Sequence, residues 1–278
     1  MQLSQHKFQF EGIPVGYYRA GSGFPLLLLH GSGPGASSLG NWRSILEPLA
    51  ARYEVFAMDL IGFGMSGRKP AEPYFDYPLW VRQAKAMLEE IPGKRVGLIG
   101  HSLSASIALT VADLDARVMA VVTTGAMGAS FQPNEFTRRT WTCPRSREEL
   151  AFAIQGLVFD RRLITEDYLR AREAVIFANG YADYFDTMFQ GDPQQYVEAA
   201  VLEPGLLAAL RTKVLLLHGR DDLAFPAETS LRLAGLIPEA DAVLLGRCSH
   251  SIAFEQTAKF LFYVNAFFAE FAEGNAEA

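Results

Sequence analysis

The chain is 278 residues long, half of its residues are hydrophobic and a fifth are charged, and its formal net charge is −6. This length is enough to bury a substantial core, in one large α/β domain or two small ones. No basic cluster is large enough to neutralise a run of phosphates, which argues against nucleic acid as a partner. The N-terminus lacks a signal-peptide pattern and no apolar run approaches a membrane span, so we expect a cytoplasmic protein without membrane contact.

The thiols and imidazoles are too scattered along the sequence to suggest a metal site. Cys143 and Cys248 fit no metal-ligand spacing and are most simply reduced thiols, which agrees with a cytoplasmic location. None of the five histidines forms an H-x-x-x-H or H-E-x-x-H pair. We therefore expect no metal ion.

Strand and helix patterns alternate along the first half of the chain. Residues 7–10 and 14–19 alternate around Gly12 and predict an antiparallel hairpin. The apolar run at 25–29 is typical of a strand buried on both faces of a parallel sheet. Further strands are predicted at 53–58, 96–99 and 118–123, and helices at 42–50, 78–90 and 103–116.

The alternation breaks between residues 128 and 210, which contain no clear strand. A stretch of this length is too long for a plain loop, so we interpret it as a helical cap inserted after the sixth strand. Helices are predicted in it at 147–159, 165–177 and 181–189. Its aromatic residues are expected mostly in the core of the cap; they are Phe131, Trp141, Phe152, Phe159, Phe177, Tyr181, Phe185 and Phe189.

The strand and helix pattern resumes after the cap. Strands are predicted at 213–217 and 242–245, a helix at 227–236 and one long closing helix at 252–271. The fold class is therefore α/β, with a mostly parallel, doubly wound sheet of eight strands. Residues 1–127 and 211–278 form its core, and residues 128–210 form the cap.

The stretch G100-H-S-L-S104 joins a predicted strand to a predicted helix. A serine on such a sharp turn has an exposed hydroxyl, and the N-terminus of the following helix points at the reacting carbonyl, so Ser102 is the predicted nucleophile. The pattern is G-x-S-x-S instead of G-x-S-x-G, and Ser104 fills the second small position at some steric cost. Taken alone, the stretch is equally typical of an ordinary Gly-Ser turn into a buried helix.

A nucleophilic serine needs a base and a carboxylate that orients this base. The order Ser102, Asp222, His250 is that of an α/β-hydrolase triad, and all three follow predicted strands whose carboxyl ends share one edge of the sheet. Asp222 is preferred because it precedes Pro226 by four residues, and Asp221 is the weaker choice. The alternative interpretation is an acidic turn that caps the next helix.

A tetrahedral intermediate also needs preorganised donors for its oxyanion. The backbone N–H of Leu103 is one predicted donor. The second is the N–H of Ser32, because the glycines of the loop from His30 to Gly35 let the backbone approach a ligand. His101 is adjacent to the nucleophile, points elsewhere, and is predicted to form a wall of the pocket.

Several motifs resemble those of the meta-cleavage product hydrolases of the α/β-hydrolase superfamily. They are H30-G-S-G-P-G-A36 with Asn41-Trp42, D59-L-I-G-F-G-M-S-G-R68, the serine turn, L163-I-T-E-D-Y-L-R-A-R172, H218-G-R-D-D222 and C248-S-H250. The resemblance spans almost the whole chain, and the HGSGPGA loop with its downstream Asn is its most specific part. It implies an α/β-hydrolase fold and hydrolysis of a C–C bond in 2-hydroxy-6-oxo-dienoates, which are products of aromatic ring cleavage.

The resemblance also implies how a small-molecule substrate, acidic and partly apolar, is held. Asn41 and Arg172 stand at the positions that bind the dienoate carboxylate and 2-oxo group, and a planar guanidinium suits a carboxylate. The other predicted substrate-binding residues are Gly31, Gly33, His101 and Ser251. In the implied mechanism the substrate is ketonised, and the 6-oxo carbonyl is then attacked by the serine. Such hydrolases need no metal or organic cofactor and often form homo-oligomers, although nothing in the sequence sets a subunit number.

The chain departs from the family pattern near the predicted site. His101 replaces the usual Asn, Ser251 replaces the usual Trp, and Ser104 and Ala105 replace paired glycines. Because the first two positions touch the dienoate end in relatives, an ester, a lactone or a β-diketone is an alternative substrate for the same triad. A catalytically silent, ligand-binding relative is an alternative of another class, and the intact set of serine, acid and histidine argues against it.

Overall fold

The computed structural model describes residues 3–178 and 180–273 and contains one eight-stranded sheet in the order β1-β2-β4-β3-β5-β6-β7-β8. The pairs β1–β2 and β2–β4 are antiparallel, and the other five pairs are parallel. The strands are β1 (Ser4–Phe10), β2 (Ile13–Gly21), β3 (Pro25–Leu29), β4 (Glu54–Met58), β5 (Val96–His101), β6 (Val118–Thr124), β7 (Lys213–Gly219) and β8 (Ala240–Leu245). The predicted fold, a mostly parallel eight-stranded α/β sheet, is confirmed.

Helices cover both faces of the sheet, and the described residues between β6 and β7 form a group of six helices. The helices of the core are α1 (Ser38–Ala50), α2 (Tyr77–Glu90), α3 (Leu103–Leu114), α10 (Glu228–Leu236), α11 (Ile252–Glu255) and α12 (Thr257–Glu273). Those between β6 and β7 are α4 (Glu135–Arg139), α5 (Arg147–Gln155), α6 (Glu166–Ile176), α7 (Tyr181–Met188), α8 (Gln194–Ala199) and α9 (Pro204–Ala209), with a 3₁₀ turn at Arg161–Leu163. None of the helices described is long and apolar enough to cross a membrane.

Strand β3 shows why its continuous apolar run belongs in the middle of the sheet. Leu27 and Leu29 join the hydrophobic cluster that contains Trp80 of α2. Leu26 joins a separate cluster on the opposite face, with Trp42 of α1. Because successive side chains of a strand point to opposite faces, a strand buried on both sides must be apolar at every position.

The structure corrects two expectations about the helices. The predicted closing helix at 252–271 is two helices, because Gln256 leaves the helical region with φ −126° and ψ 44°. The expectation that the cap aromatics are mostly core is wrong for Phe152, Phe159 and Phe177, which are 39%, 41% and 46% exposed. The first two of these rings lie under the guanidinium groups of Arg139 and Arg247, which lets an aromatic ring stay near solvent.

The segment that follows α5 is bound to the loop that follows β8. The hydroxyl of Ser249 donates to the Gly156 carbonyl at 3.2 Å, and the Ser251 amide donates to the Leu157 carbonyl at 3.1 Å. The helices between β6 and β7 therefore contact the core beside the predicted histidine loop. Whether residues 128–210 form a separate domain stays a prediction.

We expect Gly100→Ala to lower the free energy of unfolding by about 1–3 kcal/mol, the usual range for overpacking. A Cβ at Gly100 would lie 2.4 Å from the carbonyl oxygen of Ser104, which cannot retreat without displacing the start of α3. The matched control is Gly235→Ala, where a Cβ meets nothing within 4 Å. This control should be neutral or stabilising by about 0.4–1 kcal/mol. Urea denaturation measures both, and equal effects of the two would contradict the close approach at Gly100.

Candidate active site

Ser102 stands between β5 and α3 in a strained backbone conformation, with φ 58° and ψ −122°. A non-glycine residue with positive φ costs energy and persists only when its surroundings hold it. Here the Ser102 amide donates to the Thr124 carbonyl at 2.9 Å, and the Ser102 carbonyl accepts from Ala105 and Met127. The serine is only 5% exposed. This is the geometry expected of a nucleophile on a sharp strand-to-helix turn.

The serine that replaces the second glycine of the motif is bonded to the neighbouring loop. The Ser104 side chain is completely buried, and its hydroxyl donates to the His30 carbonyl oxygen at 2.5 Å. Ser104 therefore links the serine turn to the loop after β3. The substitution supplies a bond where the sequence suggested only a steric cost.

Asp222 and His250 form a buried, hydrogen-bonded pair. Asp222 Oδ2 lies 2.7 Å from His250 Nδ1 and 3.4 Å from His218 Nε2. Although burial alone would raise the pKa of Asp222, the neighbouring His250 and His218 hold that pKa below its ordinary range. Asp222 is therefore ionised, which sets the His250 ring with its proton on Nδ1 and a free Nε2.

The two acidic residues of this turn have different partners. Asp221 Oδ2 accepts from the Arg247 amide at 2.7 Å. Asp222 uses Oδ1 to accept from the amides of Ala224 and Phe225, at 3.0 and 2.9 Å. Asp222 therefore has both predicted roles: its Oδ1 caps the turn, and its Oδ2 contacts His250.

A cavity of about 90 Å³ brings Ser102 and His250 together. Within the described residues, no hydrogen bond joins the Ser102 hydroxyl to His250; such contacts often tighten only in the substrate complex. The Phe225 ring stacks on the imidazole of His250, with centroids 4.4 Å apart. The cavity is also lined by Gly31, Ser32, Gly33, Ala36, Gly40, Asn41, His101, Thr140, Trp141, Ile154, Leu157, Tyr168, Arg172 and Ser251.

The two predicted oxyanion donors are the amides of Leu103, at the start of α3, and Ser32. Neither donates to a protein acceptor in the part of the chain that the structure describes. The loop that carries Ser32 lies close to Ser102. A Cβ at Gly31, in this loop, would be only 3.3 Å from the Ser102 Cβ. Both amides are thus available as donors, and their role stays a prediction.

The residues predicted to bind substrate all line the cavity, but Arg172 differs from the expectation. Its Nη1 donates to the Gly35 carbonyl at 3.1 Å, and its Nη2 donates to the Pro34 carbonyl. Its Nε is buried without a protein partner among the described residues. The guanidinium group was expected to hold a substrate carboxylate. Two of its five N–H groups donate to the loop instead, and three remain for a substrate.

Two residues near the site carry no local sequence signal. Trp141 Nε1 donates to the Ser32 hydroxyl at 3.1 Å and so connects the helical segment to the predicted oxyanion loop. Glu255 accepts from the amides of Phe159 and Ser249 at 2.6 and 2.9 Å, which joins that segment to the histidine loop. Burial raises the pKa of Glu255, and its bonds to backbone amides oppose this shift. These links depend on tertiary contacts alone.

We searched the acidic, thiol and imidazole groups of the described residues for a metal site. Over residues 3–178 and 180–273, no three His, Cys, Asp or Glu side chains are close enough together to hold a metal ion. Cys143 and Cys248 are both buried free thiols.

Comparisons with known proteins agree with this geometry. A model of the alpha/beta hydrolase fold family matches residues 25–257. The chain is 33% identical over 260 residues to a 2-hydroxymuconate semialdehyde hydrolase from Pseudomonas sp. (strain CF600), with 93% of this chain and 92% of that protein covered. It is 32% identical to a 2-hydroxy-6-oxo-2,4-heptadienoate hydrolase from Pseudomonas putida strain F1, over 93% of this chain and 94% of that protein.

A solved structure shows the same arrangement of the chain. It is a meta-cleavage product hydrolase from Pseudomonas fluorescens IP01, with a TM-score of 0.90, 30% identity, and coverage of 95% of this chain and 97% of that one. The chain therefore belongs to the α/β-hydrolase fold family and, within it, to the meta-cleavage product hydrolases. The predicted family and the prediction of a hydrolytic enzyme are thereby confirmed.

We expect Asp222→Asn to lower kcat by about 10⁴-fold, because the neutral amide no longer stabilises the protonated imidazole or sets its tautomer. Asp221→Asn is the matched control and should change kcat by less than about threefold, since Asp221 accepts from the Arg247 amide and not from His250. Steady-state kinetics measures both effects, with circular dichroism to verify folding. Equal losses in the two variants would contradict the assignment of Asp222.

Proposed function

We propose that the chain hydrolyses the C–C bond beside the 6-oxo group of a 2-hydroxy-6-oxo-dienoate, with Ser102, Asp222 and His250 as catalytic residues. The observation that carries this proposal is the Asp222–His250 contact of 2.7 Å, because the histidine that it orients lines one cavity with Ser102, Asn41 and Arg172. The names of the two curated relatives describe substrates of this class.

The first half of the proposed reaction forms an acyl-enzyme from the ketonised substrate. His250 Nε2 takes the proton of the Ser102 hydroxyl as its oxygen attacks the 6-oxo carbon. The amides of Leu103 and Ser32 bind the oxyanion. When the tetrahedral intermediate collapses, the C5–C6 bond breaks, its electron pair passes into the conjugated 2-oxo system as a dienolate, and the proton taken up by His250 is returned to the 2-oxygen.

The second half releases the acyl group. A water molecule gives its proton to His250 and attacks the ester carbon on Ser102. Collapse of this intermediate breaks the ester bond, and the proton on His250 returns to the serine oxygen. The products are a 2-hydroxydienoate and a carboxylic acid, so one water molecule is consumed in each turnover.

A carboxylic ester or lactone is the second candidate substrate for the same residues. It is favoured by Arg172, whose two Nη groups donate to the carbonyls of Gly35 and Pro34. These bonds leave fewer N–H groups of Arg172 for a substrate carboxylate, and an uncharged ester or lactone needs none of them. His101 and Ser251, at two further cavity positions, add no fixed positive charge to that of Arg172.

A reducing compartment such as the cytoplasm is part of the same proposal. Burial raises the pKa of Cys143 to about 11, and it also raises that of Cys248. Two buried, unreactive thiols are typical of a protein in a compartment that keeps cysteines reduced. Assembly into a homo-oligomer and the exclusion of nucleic acid stay predictions.

We expect the purified chain to bleach the absorbance of a ring-fission dienoate and to react covalently with a fluorophosphonate probe at Ser102. Ser102→Ala should abolish both, because the bond-forming oxygen is removed, and it is the control for probe specificity. Turnover of p-nitrophenyl esters with an unchanged dienoate spectrum would favour the ester instead. A folded chain that the probe does not label would contradict an enzymatic serine altogether.

We expect Arg172→Ala to raise KM for the dienoate by roughly 10- to 100-fold, the loss of one charge-assisted hydrogen bond, with less effect on kcat. Damage to the loop that Arg172 also holds would act on every substrate, so a neutral p-nitrophenyl ester is the control. A selective effect on the acidic substrate supports binding of its carboxylate. An equal effect on both substrates would assign Arg172 to the loop alone.

A further inference from the structure

His101 is the last residue of β5 and is fixed in one orientation by the end of β6. It is 6% exposed and lines the cavity beside Ser102. Its Nδ1 lies 3.0 Å from the Thr124 hydroxyl and 3.2 Å from the Thr124 carbonyl oxygen. Because a carbonyl oxygen only accepts, this contact assigns the ring proton to Nδ1. The other nitrogen, Nε2, is then a hydrogen-bond acceptor.

This acceptor has no donor within the protein residues described. His101 Nε2 makes no hydrogen bond there, and the His101 side chain lines the cavity that also holds Ser102. On the cavity side it faces the backbone of Gly31, where a Cβ would lie 3.5 Å from Nε2. An accepting nitrogen in so confined a space is satisfied only by a donor that enters the cavity.

The surroundings of His101 keep it neutral. Its ring centroid lies 4.6 Å from that of His250. Burial and then His250 lower the pKa of His101 well below its ordinary value, with His30 adding to this effect and Asp222 opposing it. A neutral ring with a bare Nε2 cannot donate to a carboxylate or a carbonyl oxygen from that atom. It can only accept from a hydroxyl or an N–H group.

We propose that His101 Nε2 accepts a hydrogen bond from a hydroxyl group of the substrate and thereby selects a substrate with a donor at this position. On the proposed function, on which this inference rests, the donor is the 2-hydroxyl group of the dienoate in its enol form. This contact belongs to the enol that binds first, because ketonisation moves the proton away from this oxygen, and a deoxy ligand offers Nε2 no donor at all. His101 is thus a specificity-determining residue that distinguishes a hydroxylated substrate from its deoxy analogue.

The test compares two ligands in the full-length Ser102→Ala chain, which binds without turnover. The ligands are a 2-hydroxy-6-oxo-dienoate and the matching 6-oxo-dienoate without the hydroxyl, each titrated by absorbance. His101→Asn keeps an amide near Thr124 and removes the acceptor at the Nε2 position, whereas His101→Gln reaches that position with an amide oxygen. We expect His101→Asn to weaken binding of the hydroxylated ligand by roughly 2- to 12-fold, as for one neutral hydrogen bond. Binding of the deoxy ligand should stay unchanged, and His101→Gln should recover most of the loss.

Several outcomes would overturn the inference. Equal losses for both ligands in His101→Asn would show that His101 only supports the structure, and no loss for either would remove its contact with the hydroxyl. Binding of neither ligand by the Ser102→Ala chain would also overturn it. Failure of the proposed function is read separately, in the unsubstituted chain, as ester turnover without cleavage of the dienoate. Unchanged binding of the deoxy ligand serves as the internal control for folding of each variant.

Discussion

The carbonyl group of Thr124, at the end of β6, is the contact on which the rest of the site depends. It accepts the amide of Ser102 at 2.9 Å and lies 3.2 Å from His101 Nδ1, so one oxygen sets both residues of the serine turn. The next residue, Gly125, leaves room for His250, because a Cβ there would lie 2.7 Å from His250 Nδ1. Strand β6 thus positions the proposed nucleophile, its neighbour and the proposed base from one place, and hydrogen bonds hold the strained backbone of Ser102.

The parallel sheet explains how residues so distant in sequence reach this place. The carboxyl ends of β3, β5, β6 and β7 share one edge, where the loop with Ser32, the serine turn and the acid turn all emerge. The helical segment between β6 and β7 closes over this edge through specific bonds, and not by apolar packing alone. Trp141 contacts the Ser32 hydroxyl and Glu255 contacts the amide of Phe159. A movement of this segment would therefore displace the loop with Ser32 and the histidine loop together.

Sequence patterns predict the features that local chemistry decides. Buried strands need continuous apolar runs, and the serine turn needs Gly100, so the residue pattern alone predicts both. The choice between Asp221 and Asp222 also follows from a local spacing, although its physical basis is a contact with a residue 28 positions away. The helix break at Gln256 could not be predicted, because the helical period of the sequence continues through it. The bonds of Arg172 to loop carbonyls could not be predicted either, because they depend on how α6 meets the loop after β3.

The two imidazoles beside Ser102 show how neighbouring groups of one kind acquire different tasks. His250 has a carboxylate at 2.7 Å, so the charge that it gains on taking a proton is stabilised where it forms. His101 is as deeply buried, has a hydroxyl and a carbonyl as partners, and faces the ring that becomes charged. A second positive charge 4.6 Å from the first would be strongly disfavoured in so closed a site. On the proposed function, the position of Asp222 therefore decides that His250 moves protons, while His101 stays neutral and can only accept a hydrogen bond.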